Sequence, residues 1–106
     1  MSYTKANYED VDPVGGGLHF LRDALDCAEL GFSVLEADPD WSGQPHDHAE
    51  QGHEEVYYLV SGGATLVVED EELDLEPGDA VRVSPEDTRE LRNGPEESTF
   101  VIAGAP

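Results

Sequence analysis

The chain is expected to fold as a single all-β domain, a sandwich or barrel, and three observations predict this. Apolar residues come in short runs of strand length, such as Val56-Tyr57-Tyr58-Leu59-Val60 and Phe100-Val101-Ile102. Turn residues, chiefly Gly and Pro, break these runs at close spacing, the pattern of many short strands rather than of helices. The 106 residues contain no repeat of 20–50 residues and no internal linker, and that length suits one domain with its own core.

Taken in order, residues 1–17 are polar, end in Gly15-Gly16-Gly17, and are expected to form a loose arm. Residues 18–106 are then the barrel domain. From Leu18 to Leu30 the apolar residues fit neither the helical nor the strand period. Residues 31–37 have strand character, and Asp38-Pro39-Asp40 with Ser42-Gly43 supplies turn chemistry. Extended segments are expected at 45–49, 54–60, 64–69, 72–75, 79–83, 88–92 and 98–103. The breaks between them are Ser61-Gly62-Gly63, Glu69 to Glu71, Pro77-Gly78, Ser84-Pro85 and Asn93-Gly94-Pro95.

Composition narrows the function. Twenty-five carboxylates stand against five basic residues, of which only Lys5 is a lysine, giving a formal charge of −20. The acidic residues are interleaved with apolar ones at strand period, which a disordered acidic tail lacks. Self-repulsion at that charge is strong in dilute buffer and largely screened at about 1 M salt, where the Debye length is about 3 Å. The composition resembles that of proteins from salt-accumulating halophiles. Nucleic acid is excluded as a partner, because a duplex needs a cationic surface. No run approaches the roughly 20 apolar residues of a membrane helix, and the first residues lack a signal peptide's pattern. Cys27, the single cysteine, has no second thiol with which to form an internal disulfide. A cytoplasmic location is expected.

The chemistry is concentrated in His46-Asp47-His48, followed after six intervening residues by Glu55 and after six more by Gly62. Two imidazoles two residues apart on an extended segment share a face, with Cα atoms roughly 6.5–7 Å apart. A carboxylate on a neighbouring strand would complete a two-histidine, one-carboxylate face, which suits a transition metal with open positions.

These residues, together with Leu75-Glu76-Pro77-Gly78-Asp79-Ala80-Val81-Arg82-Val83-Ser84-Pro85 and the closing Leu91-Arg92-Asn93, resemble the two motifs of the cupin family. The resemblance implies a double-stranded β-helix, or jelly-roll barrel, and a metal site. Two departures stand out. Six residues separate His48 from Glu55, where the family usually has three or four, and the insertion carries His53. The family's fourth ligand is a histidine four residues before the final asparagine, and that position here is Arg89. A guanidinium has no lone pair to donate and cannot ligate a metal.

The expected metal residues are therefore His46, His48 and Glu55, with His53 either a third imidazole or a surface residue. The ion would be divalent Fe, Mn, Ni, Cu or Zn. Glu55 either ligates it or pairs with Arg89 inside the barrel. Arg89 and Tyr57 are the expected ligand-binding residues, Arg89 being shaped to clamp a carboxylate or phosphate in two hydrogen bonds. Trp41 caps the barrel mouth or lies at an interface. No catalytic nucleophile is visible. By resemblance, an enzymatic role would be dioxygenase, isomerase or lyase chemistry at the metal. The alternatives are a non-catalytic, metal-free module for an anionic small molecule, or a structural homodimer. Homodimers are common in the family through sheet edges.

Overall fold

The computed structural model describes residues 2–106. Eight strands form two antiparallel sheets that pack face to face. They are β1 (Leu18–Phe20), β2 (Gly31–Ala37), β3 (Glu54–Ser61), β4 (Ala64–Val68), β5 (Glu71–Leu75), β6 (Ala80–Val83), β7 (Arg89–Asn93) and β8 (Ser98–Ala105). The larger sheet has the order β1-β2-β8-β3-β6 and the smaller one β5-β4-β7. The expected all-β jelly-roll is the observed fold, and the strand expectations match to within two residues at each end, with one exception.

That exception is 45–49, which is not a strand. Residues 41–48 run beside the open edge of β7, where Ser42 bridges Arg92 and His46 bridges Arg89. Five residues on one side (42–46) therefore face four on the other (89–92), so the segment carries one extra residue, as in a β-bulge. Pro45 lies within this interval and has no N–H to offer a ladder. The contact survives as paired backbone hydrogen bonds between His46 and Arg89, 2.9 and 2.8 Å long.

Alternation along the strands builds the core. Tyr57 and Leu59 point inward on β3, while Val56, Tyr58 and Val60 lie on the outer face. On β7 the inward set is Arg89, Leu91 and Asn93. Leu59, Leu66 and Phe100 have no exposed surface and form the centre, with Leu35, Val83 and Leu91 around them. Gly62 sits at φ +94° in the turn from β3 to β4, where a Cβ would collide with Ser98, so the motif glycine is a steric requirement.

The N-terminal segment is tied to the barrel at several points. It holds a short 3-10 helix, Tyr8–Asp10. His19 Nδ1 lies 2.8 Å from the Val11 carbonyl, and the Trp41 Nε1–H donates to the Gly15 carbonyl at 2.9 Å.

Candidate metal centre

Three of the expected residues meet at the barrel mouth. His46 and His48 come from the bulged segment beside β7, and Glu55 from the inward face of β3. One donor atom from each lies within 4.8 Å of the other two. His48 Nε2 is 3.3 Å and His46 Nε2 4.0 Å from Glu55 Oε1. The two imidazoles meet edge to face, with centroids 5.0 Å apart. The irregular backbone thus still brings both rings to one point.

Hydrogen bonding sets the donors. His46 Nδ1 lies 3.1 Å from the Gln44 carbonyl. A carbonyl only accepts, so in the neutral ring the hydrogen sits on Nδ1 and Nε2 keeps its lone pair, the usual arrangement of a metal-ligating histidine. His48 Nε2 is buried and has no hydrogen-bond partner. Its 3.3 Å approach to Glu55 is close but not in hydrogen-bond geometry. An orphaned buried nitrogen normally calls for an explanation, and a metal ion would satisfy it. The two-nitrogen, one-oxygen donor set also fits a divalent transition ion.

Glu55 is braced on three sides. The Tyr57 hydroxyl donates to Oε1 at 2.9 Å. Burial raises the Tyr57 phenol well above its ordinary value, and the neighbouring Glu55 charge adds to this, so Tyr57 remains a donor at any physiological pH. On the strand paired with β3, Gly104 lies opposite Glu55, and a Cβ there would sit 3.2 Å from the Glu55 Cγ. Beneath the carboxylate lies Arg89, with Nε 3.9 Å from Oε1.

Arg89 has no exposed surface. Its Nη2 donates to the carbonyls of Ser84 (3.1 Å) and Val83 (3.4 Å), while Nε and Nη1 have no hydrogen-bond partner. It is not among the residues that line the cavities around the triad. Its guanidinium approaches the site at Glu55.

Three adjoining cavities surround the triad. One of about 270 Å³ lies directly over His46, His48, Glu55 and Tyr57. A second, about 220 Å³, reaches past Arg22, Ser33 and His53. His53 thus lines the mouth beside His48 and Glu55 but is not part of the three-residue cluster. The third, about 290 Å³, runs from His46 and Tyr57 to Trp41. Sequence reasoning did not single out Leu18, Arg22, Ser33 or Gly104 as site residues. The available signal was period-two alternation on β2 and β8, which turns Ser33, Leu35, Ile102 and Gly104 to the same side as Tyr57.

The cupin-domain family model matches residues 33–104. The chain belongs to the cupin family. Solved cupin structures superpose over almost its whole length. A cupin protein from Bacteroides fragilis is 22% identical, with 99% of this chain and 85% of that one covered and a TM-score of 0.80. KdgF from Halomonas sp. is also 22% identical, at 100% and 94% coverage and a TM-score of 0.80. A sugar phosphate isomerase of the cupin superfamily from Silicibacter pomeroyi is 19% identical, at 96% and 75% coverage and a TM-score of 0.78. At these identities the likeness is one of fold. Comparison with curated protein sequences finds no match. Among the described residues, no helix of this cupin is long and apolar enough to cross a membrane.

Proposed function

We propose that this cupin binds one divalent transition metal through His46, His48 and Glu55 and holds a small anionic molecule against it in the barrel mouth. The observation that carries this is the convergence of three donors within 4.8 Å, with His48 Nε2 buried and otherwise unpartnered. When bound, the ion supplies Lewis-acid or redox chemistry at its open positions. The protein contributes the rest. Tyr57 stays protonated and orients the Glu55 carboxylate, and Arg89 offsets the Glu55 charge from below. A divalent ion beside one carboxylate and one guanidinium leaves the site net positive, which selects for an anionic ligand. Because Arg89 stands where the family's fourth ligand belongs, this centre has three protein ligands and leaves more positions to water and ligand. His53 contributes to the cavity wall.

One observation favours a second reading. The 3.9 Å approach of Arg89 to Glu55 already gives that carboxylate a cationic partner, so the barrel is chemically complete without a metal. Metal uptake separates the two. Protein stripped with chelator and titrated with zinc should bind one equivalent at the site, and a His46→Ala/His48→Ala variant should lose it. Loss of no zinc in that variant would remove the histidines from the site.

The chain is further proposed to pair with a second copy, through the outer face of β3. Val56, Tyr58 and Val60 are 37–47% exposed there, an apolar strip on an otherwise acidic molecule.

A further inference from the structure

The cavity toward Trp41 differs in character from the rest of the barrel mouth. Its wall is Leu18, Leu35, Trp41, Tyr57, Leu91 and Ile102, with Gln44 and His46 as the polar side chains. It shares Leu18, His46, Tyr57 and Ile102 with the cavity above the triad, so the two are continuous. The opposite end, around Arg22, Ser33 and His53, is more polar.

Trp41 is built into place. Its Nε1–H donates to the Gly15 carbonyl at 2.9 Å. A Cβ on Gly43 would stand 3.0 Å from the ring's Cη2, and one on Gly16 would stand 3.4 Å from Nε1. Gly43 therefore leaves room for the indole, Gly16 stands at ordinary contact distance from it, and the hydrogen bond fixes its plane. The indole packs against the core and also borders an open volume of about 290 Å³. An apolar cavity of about 150 Å³ already accommodates benzene, so this lobe has room for a substituted ring.

We propose that this lobe is a ring-binding subsite, and that the ligand of this cupin is a small aromatic molecule whose anionic oxygen, a carboxylate or phenolate, lies over the triad. The proposal rests on the metal reading above for the oxygen end and on the lobe alone for the ring end. A sugar or a short dicarboxylate fits less well. Hydroxyls buried against this wall would find few partners and would be desolvated without compensation, whereas a ring gains apolar burial and an aromatic neighbour. The net positive charge of metal, Glu55 and Arg89 attracts the anionic end.

Trp41 is the single tryptophan, so its fluorescence reports directly on the lobe. Chelator-stripped protein titrated with phenol should show a saturable change in emission, since the ring end needs no metal. Zinc-loaded protein should bind benzoate at least tenfold more tightly than stripped protein does, and at least tenfold more tightly than it binds glucuronate, an anion of equal charge. By calorimetry, Trp41→Ala should weaken benzoate binding tenfold or more at unchanged zinc stoichiometry, while Trp41→Phe stays within about threefold of the parent. Zinc uptake without a saturable response to phenol or benzoate would overturn the ring subsite and leave the metal site standing. A saturable phenol response without zinc uptake would support the subsite and overturn the metal reading. Glucuronate binding as tightly as benzoate would overturn the proposed ligand class.

Discussion

Arg89 carries the chain's main departure from its family, and its effect can be given a size. Its Nε lies 3.9 Å from Glu55 Oε1, a separation at which unit charges interact by roughly 4 kcal/mol at an effective dielectric of 20, so the guanidinium competes with an incoming cation for Glu55. Arg89→His should raise zinc affinity on the order of 100-fold, measured by competition with a chromogenic chelator. Arg89→Gln should lower the stability of stripped protein by about 3 kcal/mol, because it leaves Glu55 without its cationic partner. Zinc should restore much of that loss. Tyr57 gives a separate test. Its phenol is raised in the folded state by burial first and by Glu55 second. In the unfolded chain it ionises near pH 10, while in the folded protein it stays neutral, so stability falls as pH rises above about 10. Tyr57→Phe should show a smaller drop in Tm between about pH 9.5 and 11 than the parent. At this scale the triad was legible, because His46, His48 and Glu55 sit in a motif with a geometric logic. The glycines that make room for Trp41 and Glu55 were not, because Gly43 and Gly104 meet those side chains only after the sheets assemble.

At the level of elements, β3 and β7 organise the site from opposite sheets. β3 delivers Glu55 and Tyr57, and β7 delivers Arg89 and ends on Asn93. Asn93 is buried, and its Nδ2 lies 3.2, 2.7 and 2.8 Å from the carbonyls of Ala37, Asp38 and Glu96. The residue that closes the second motif thus ties the end of β2 to the turn before β8. Asn93→Ala should cost about 2–3 kcal/mol in urea unfolding, since it leaves buried carbonyls unpaired, and should leave zinc affinity unchanged. The strands were legible where alternation and turn residues agreed, as in 31–37 and 54–60. The failure at 45–49 has a physical cause. Alternation alone does not reveal that Gln44-Pro45 adds a residue against β7, and a short bulged segment carries no signal of which strand edge it will follow.

Over the whole molecule, the charge of −20 and the apolar strip on β3 act together. Raising salt from about 0.1 to 2 M screens repulsion between surface carboxylates and should raise Tm; a flat or falling Tm would remove electrostatic self-repulsion as a determinant of stability. The same salt should favour pairing of two copies, and Tyr58→Glu should shift sedimentation from dimer to monomer. The acidic surface also decides how the metal site must be tested. Twenty-five carboxylates can hold ions nonspecifically, so bulk metal content alone is a poor witness. The most direct measurement is the X-ray absorption spectrum of protein loaded with one equivalent of zinc in high salt, which counts imidazoles around the ion. The expected result is two imidazoles with oxygen ligands, both imidazoles vanishing in His46→Ala/His48→Ala. An all-oxygen shell in the parent would contradict the centre, and three imidazoles would place His53 on the metal and contradict the three-residue site.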